Sequence, residues 1–113
     1  WRQGGKSFEK IYDVVWSGNR VRDANGHVGP VGNTVDVPNA RYSNSIGAPE
    51  LVGTWRDPDF NPADRAAYYA RVLEIPTPRW PVYLAKSSGV ALSPKVKTWL
   101  QERAWTSPVF YTP

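Results

Sequence analysis

The sequence predicts an all-β fold built of short antiparallel strands. Runs rich in β-branched and aromatic residues alternate with clusters of Gly, Pro, Asn and Asp, which is typical of strands joined by turns. The 11 Pro and 9 Gly among 113 residues favour many short strands over long helices. Six Trp and six Tyr are the expected material of the hydrophobic core, because the chain has no cysteine to form disulfides.

Residues 64–72 carry the most specific indication of fold type. Alternate residues of this segment form one apolar face that includes Tyr68, directly before an apolar run. This spacing resembles the entry to strand F of an immunoglobulin-like or fibronectin-like antiparallel sandwich, with Ala70 at the place of the second cysteine of antibody domains. Tyr68 and Asp64 are then the structural corner, and we expect the Tyr68 hydroxyl to bond a backbone group, because a buried hydroxyl needs a partner.

The strands before this corner are predicted from local composition. Residues 8–16 have one face of aromatic and branched side chains and are predicted as a strand. Residues 18–33 are rich in Gly, Asn and Asp and are predicted as a loop. Further extended segments are predicted at residues 34–37, 41–44 and 49–57. The sequence thus predicts five to seven strands in total. This number fits a sandwich from which the first one or two strands are missing.

A hairpin closes the predicted fold. Residues 66–75 form its first strand, which we expect Pro76, Pro78 and Pro81 to end, because proline lacks the N–H that a sheet ladder needs. Residues 101–111 form the last strand and return antiparallel to residues 71–74. The connection is then a proline-rich insertion between the last two strands. Within it, the segment that starts at Ser93-Pro94 is either a helical turn or an extended piece.

Length, net charge and the distribution of apolar residues limit the domain organisation and the classes of binding partner that the sequence predicts. A length of 113 residues predicts a single β-rich domain or fragment over residues 1–113, and a chain that opens on Trp1 and has no Met is expected to be a piece of a longer protein. The net charge is +4, but Lys and Arg are scattered among the carboxylates, so no nucleic-acid partner is predicted. No apolar run has the roughly 20 residues of a membrane span, so no membrane partner is predicted either.

Two patterns that suggest chemistry have simpler explanations. Asp57, Asp59 and Asn61 have the spacing of a calcium loop, but Pro62 and Tyr68 occupy the places where such a loop needs Gly and Glu. A turn in which these side chains bond nearby backbone amides is the favoured interpretation. The single histidine, His27, lies in a glycine-rich loop without further ligands, so neither a metal site nor a catalytic residue is predicted in this chain.

Residues 74–80 and 101–108 each combine a carboxylate, an arginine and a tryptophan. If they face each other across the hairpin, their guanidinium and indole groups form a platform for an anion or a sugar. The candidates for contact with an anionic substrate are Arg79, Arg103, Trp80 and Trp105. The alternative, which we favour, is that these groups pair and stack only to hold the proline-rich excursion.

The same segments carry a resemblance to a known family. The matching runs are FEKIYDVVWS (8–17), VGNTVD (31–36), GAPEL (47–51), DPDF (57–60), YYARVLEIPTPRW (68–80) and QERAWTSP (101–108). Together they resemble a bacterial family known as a domain of unknown function, whose members include proteins described as dimanganese arylsulfatases with phosphatase-like promiscuity.

This resemblance implies that the chain is the C-terminal region of a longer bacterial, periplasmic or secreted protein. The catalytic domain is then expected upstream, with manganese or another divalent metal bound there and no cofactor in this chain. The expected function is structural or accessory to a metal-dependent hydrolase of sulfate or phosphate esters, and the expected partner is the upstream catalytic domain. The alternative function is a stand-alone carbohydrate-binding module, for which a row of exposed, coplanar tryptophans on one sheet would be needed.

Overall fold

A long antiparallel hairpin dominates the chain. The computed structural model describes residues 1–113 and contains six strands and one helix: β1 (Arg2–Gln3), β2 (Lys6–Ser7), β3 (Ala66–Tyr68), β4 (Arg71–Pro78), α1 (Trp80–Ser88), β5 (Trp99–Trp105) and β6 (Val109–Tyr111). The strands form three two-stranded antiparallel sheets, β1-β2, β3-β6 and β4-β5. The fold is therefore mainly β, which confirms the predicted all-β class except for the one helix, while the two-sheet sandwich stays a prediction.

The two sheets of the hairpin continue one another. β3 pairs with β6, and β4 pairs with β5 in a register that places Arg71 opposite Trp105 and Leu73 opposite Arg103. Between the sheets, the N–H of Ala70 donates to Thr106 Oγ1 and the N–H of Thr106 donates to the carbonyl of Ala70, both at 3.0 Å. The predicted antiparallel return of the last strand onto residues 71–74 is confirmed.

The prediction that proline ends the strand was wrong, since β4 runs through Pro76 to Pro78. Pro76 and Pro78 are two residues apart, so both ring nitrogens face the same side of the strand. The N–H of Arg79 donates to the carbonyl of Thr98 at 2.9 Å, which shows that the odd-numbered amides face β5. The missing donors therefore face the side without a third strand, where proline costs no ladder bond.

Helix α1 lies within the predicted proline-rich insertion and was not predicted. Pro81 occupies its first turn, where the missing N–H would have no intrahelical partner in any case. Gly89 ends the helix in the left-handed region with φ 71°, and its N–H bonds the carbonyl of Ala85. Val82 on this helix is only 2% exposed. At Ser93-Pro94 the chain makes a turn, with a bond from Val96 N–H to Ser93 O, and becomes extended at Trp99.

The first 65 residues have little regular structure. The predicted strand over residues 8–16 was wrong, and so was that over residues 49–57. Apart from Phe8, which exchanges backbone hydrogen bonds with Trp1, neither segment pairs with a neighbouring strand. These two segments instead touch through the rings of Tyr12 and Trp55, whose centres are 4.8 Å apart, and through the Val15 side chain, which lies close to the backbone of Gly53. Of the extended pieces 34–37 and 41–44, only the single bridge between Asp36 and Arg41 is formed. Residues 18–33 form the predicted loop.

The chain has almost no core of its own. Five of the 113 residues are buried, namely Ser17, Ala40, Pro76, Pro78 and Val82. Its radius of gyration is 19.1 Å, whereas a compact domain of this length has about 13 Å. The expected aromatic core is absent, because the large apolar side chains are mostly exposed. No helix is both long enough and apolar enough to cross a lipid bilayer.

Candidate functional site

The turn at residues 57–61 positions the most connected group of polar side chains. Asp57 Oδ1 accepts the N–H of Asp59 at 2.9 Å, and Asn61 Oδ1 accepts the N–H of Ala63 at 3.0 Å. Both are Asx turns, in which a short side chain replaces a backbone carbonyl. The predicted turn is confirmed for these two side chains. The Asp59 carboxylate bonds other side chains instead of a nearby amide.

Two tyrosines from distant parts of the sequence converge on this turn. Tyr68, at the end of β3, donates to Asp57 Oδ2 at 2.8 Å. Tyr12 donates to Asp59 Oδ2 at 2.5 Å, and Lys10 forms an ion pair with the same carboxylate. We call these five residues, Lys10, Tyr12, Asp57, Asp59 and Tyr68, the carboxylate cluster. It joins residues 8–16, which belong to no strand, to the start of the long hairpin.

Each resolved shift in the cluster favours the protonation state that exists at neutral pH. The hydrogen bond to Asp57, followed by partial burial, raises the pKa of Tyr68 to about 12. Partial burial and the hydrogen bond to Asp59 raise the pKa of Tyr12. Hydrogen bonds from Lys10 and Tyr12 lower the pKa of Asp59. Both tyrosines are therefore neutral hydroxyl donors near neutral pH, and the cluster ties the turn at residues 57–61 to residues 8–16 and to the hairpin.

An open groove of about 640 Å³ lies beside the cluster. Its walls are mainly aromatic: the rings of Phe60 and Tyr111 meet edge-on at 5.0 Å, and Trp55 packs at 4.8 Å from Tyr12. Phe110 is 74% exposed at its rim. The groove is lined by Trp55, Arg56, Asp57, Phe60, Tyr68, Val109, Phe110 and Tyr111. This arrangement offers an apolar surface with one guanidinium and one carboxylate at its edge.

The four predicted anion-contact residues do not meet at one place. Arg103 and Trp105 lie in β5 beside the beginning of β4, whereas Arg79 and Trp80 lie where β4 ends and α1 begins. Arg79 bonds Thr98, five residues before Arg103, so the two arginines are about 16 Å apart along the strand. The strands face each other as predicted, but the four side chains lie at two ends of the hairpin and do not form one platform, which was the less favoured of the two interpretations.

The predicted corner differs from the structure in its acceptor. The Tyr68 hydroxyl bonds the Asp57 carboxylate and not a backbone group, because the turn at residues 57–61 places that carboxylate beside β3. Asp64 closes the following turn, where its N–H donates to the carbonyl of Asn61 and its Oδ2 accepts from Asn61 Nδ2, both at 3.1 Å. Asp64 is therefore a turn residue that is linked to Tyr68 only through the chain.

Sequence reasoning missed two sets of residues. Lys10 and Tyr12 are 49 and 47 residues from Asp59, and no local pattern marks them as its partners. Arg71 lies directly opposite Trp105, and this relation follows from the register of β4 and β5, which no local sequence pattern marks. The strand register, and not the similarity of the two Arg-Trp segments, decides which side chains are neighbours.

The donor set of this chain does not fit a manganese centre. No three His, Cys, Asp or Glu side chains converge anywhere in the structure. His27 Nδ1 lies 3.6 Å from Asp13 Oδ2, but this pair has no third ligand. Catalytic metal sites of the zinc type use three protein ligands and leave one position open. No such set is present in these residues, so no catalytic step is assigned to a metal held by this chain.

Comparison with known proteins gives one result that covers the chain. Neither the curated proteins nor the solved structures gave a match. A family model described as "Protein of unknown function (DUF3604)" matches residues 1–113, which include the carboxylate cluster, the aromatic groove and the whole hairpin. The chain therefore belongs to this family of proteins of unknown function.

Proposed function

We propose that this chain is a structural and accessory region of a larger metal-dependent hydrolase of sulfate or phosphate esters, without catalysis of its own. The single observation that carries the proposal is the excess of exposed surface. The accessible area is 9064 Å², whereas a folded protein of 12.7 kDa exposes about 6,200 Å². The difference, about 2,800 Å², exceeds the roughly 800 Å² that each partner contributes to a standard interface.

The exposed surface has the chemistry of an interface. Three large apolar side chains line the groove: Phe110 and Val109 are mostly exposed, and Phe60 is about half exposed. Side chains of this kind are typical of the buried centre of a protein interface. β6 contributes two of these residues and pairs on one side only, with β3. Its other edge is free to accept a further strand. We propose that strands of the catalytic part complete a sandwich here and cover the groove.

The hydrolase assignment is supported by the family resemblance. In the parent protein, the metal ions of the catalytic part would polarise the ester and activate a water molecule. The carboxylate cluster would keep the groove in shape for docking, because it fixes the turn at residues 57–61 against the hairpin. This region would thus determine the stability of the catalytic part and the shape of its entrance.

The test is reassembly of the hydrolase from two separately produced parts. The 113-residue chain and the preceding part of its protein are mixed, and complex formation is followed by light scattering and by turnover of an aryl sulfate with manganese. We expect Phe110→Asp to weaken assembly at least about tenfold, because it puts a charge in the covered groove. Val21→Asp is the matched control, since Val21 is 81% exposed and lies in a loop outside the groove. A chain that is compact alone and does not associate would contradict the proposal.

A second candidate function rests on the groove itself. Trp55, with Arg56 and Asp57 beside it, offers a ring face and polar groups of the kind that bind sugars. The two tryptophans of β5 do not add support for carbohydrate binding. Trp99 and Trp105 are six residues, or about 20 Å, apart, so they do not form a continuous row of rings. Carbohydrate binding that is lost in Trp55→Ala and kept in Trp80→Ala, in the chain without its partner, would favour this candidate.

A further inference from the structure

We infer that Arg71, Arg103 and Trp105 form a binding face for an aromatic oxyanion, a sulfate or phosphate group attached to a ring. The register of β4 and β5 places Arg71 directly opposite Trp105, and Leu73 directly opposite Arg103. Residues that are opposite in an antiparallel pair share a face, and so do residues two apart in one strand. All four side chains therefore lie on the same face of the hairpin.

The groups on this face are not used by the fold. The ion pairs of the structure involve Lys10 and His27, so both guanidinium groups lack a carboxylate partner. The indole of Trp105 is 55% exposed and stacks on no other ring. Glu102 alternates to the opposite face of β5, so no carboxylate of this strand neutralises the two arginines.

A structural Arg-Trp pair elsewhere in the chain shows the contrast. The guanidinium of Arg22 lies 4.9 Å from the ring centre of Trp16 and also bonds the carbonyl of Asp13. Arg71 and Trp105 are direct cross-strand neighbours but have no such stacking contact. The guanidinium and the indole thus remain available to a ligand.

The face is open only at one end. A bulge between Leu73 and Pro76 shifts the register, and beyond it Pro76 and Pro78 stand opposite Gln101 and Trp99. Those two prolines are buried, whereas Leu73, before the bulge, is 50% exposed. The open part therefore ends at the bulge and contains the two arginines and Trp105.

The dimensions suit a small tetrahedral anion with an attached ring. Arg71 and Arg103 are diagonal neighbours, whose Cβ atoms are about 7 Å apart, so two extended guanidinium groups can close on one anion. A planar guanidinium matches two oxygens of sulfate or phosphate at once. The indole provides a surface on which the ring of the ligand stacks. This specificity rests on the proposed function, because it assigns to the accessory region a contact with the ester substrate of the hydrolase.

The test measures, by calorimetry, how tightly the 113-residue chain binds phenylphosphonate and benzenesulfonate. Their C–P and C–S bonds resist hydrolysis, so binding is observed without turnover. We expect the Arg71→Gln/Arg103→Gln variant to bind both probes at least about tenfold more weakly. Trp105→Ala should weaken phenylphosphonate binding and leave methylphosphonate, which has no ring, unchanged.

The controls use the same residue types at the other end of the hairpin. Arg79→Gln and Trp80→Ala should change affinity less than about twofold. If the double Gln variant does not fold, Arg71→Lys/Arg103→Lys retains the charge and should still lose affinity, because lysine lacks the planar fork. Unchanged affinity in the folded Gln or Lys variant, or an equal loss in Arg79→Gln, would overturn the inference. Failure of reassembly with retained binding would instead refute the proposed function alone.

Discussion

Tyr68 donates a hydrogen bond of 2.8 Å to Oδ2 of Asp57, and this contact ties the start of the long hairpin to the turn eleven residues before it. The other carboxylate oxygen of Asp57 accepts the N–H of Asp59 inside that turn. One carboxylate therefore holds both the shape of the turn and its position against β3. Since the chain buries few side chains, such polar ties carry a larger share of its order than they do in a compact domain.

Removal of the Tyr68 hydroxyl should loosen this region. Tyr68→Phe leaves the ring in place but takes away the donor to a charged acceptor. We expect a loss of about 1.5 kcal/mol in the free energy of unfolding, the low end for such bonds, because the pair is only part-buried. Tyr69→Phe is the matched control, because Tyr69 is 55% exposed and its hydroxyl makes no bond. Its effect should stay within about 0.5 kcal/mol. Urea unfolding measures both, and equal effects would show that the bond contributes nothing.

The same bond predicts a stability change at alkaline pH. The pKa of Tyr68 rises from 10.0 to about 12 on folding, so folding favours the neutral hydroxyl. This contribution is complete below pH 10.0 and is lost as the pH rises toward 12. Tyrosinate absorbance should show a component near pH 12 that Tyr68→Phe removes. If the variant and the original protein have the same titration curve, the hydroxyl does not bond Asp57 in solution.

Lys10 and Asp59 should stabilise the fold only within a pH window. Their contact raises the pKa of the Lys10 ammonium and lowers that of the Asp59 carboxyl. The carboxyl contribution is present above its ordinary value of 3.8 and is lost as the pH falls through the lowered pKa. The ammonium contribution is present below 10.5 and is lost as the pH rises through the raised pKa.

Carbon NMR titration of the Asp59 carboxyl tests this window. Lys10→Gln should raise the carboxyl pKa toward 3.8, and added salt should do so in part, because the pair is exposed to solvent. Lys6→Gln is the control, since Lys6 makes no ion pair. An Asp59 pKa that does not respond to Lys10→Gln would show that the pair is not formed.

The hairpin could be predicted because its information is local. Alternation over residues 66–75 and the aromatic run before residue 111 each define a strand, and a chain returning after a connection pairs antiparallel. Helix α1 could not be recognised, since Pro81 was interpreted as a breaker although proline also fits the first turn of a helix. Residues 8–16 have strand composition but no neighbouring strand, and composition cannot supply the partner.

The candidate site could also be predicted only in part: its local turn could be predicted, but its long-range partners could not. The spacing of Asp57, Asp59 and Asn61 predicts a turn because Asx side chains bond amides two residues on. Tyr12 reaches that turn across 47 residues, which no periodicity encodes. Arg79 and Arg103 looked equivalent in sequence, but a strand register separates them and brings Arg71 beside Trp105 instead.

The packing of residue 47 against the hairpin gives the sharpest steric prediction. Gly47 has φ +82°, and a Cβ placed there would lie 2.5 Å from Cγ2 of Ile75 in β4. Gly26 has nearly the same φ, +83°, but nothing lies within 4 Å of its added Cβ. Both Ala substitutions therefore carry the left-handed backbone cost of about 1 kcal/mol, while only Gly47→Ala adds a clash of about 1–3 kcal/mol.

A double-mutant cycle separates the two costs. In an Ile75→Ala background the clashing methyl group is gone and the nearest remaining atom, Cβ, is 3.9 Å away, so Gly47→Ala should cost no more than Gly26→Ala does. Urea unfolding of the four variants measures the coupling between residues 47 and 75. If Gly47→Ala and Gly26→Ala are equally destabilising in the original background, the loop around residue 47 does not pack on β4. If instead the extra cost appears and then disappears with Ile75, the irregular first half of the chain is held on the hairpin by direct side-chain contact.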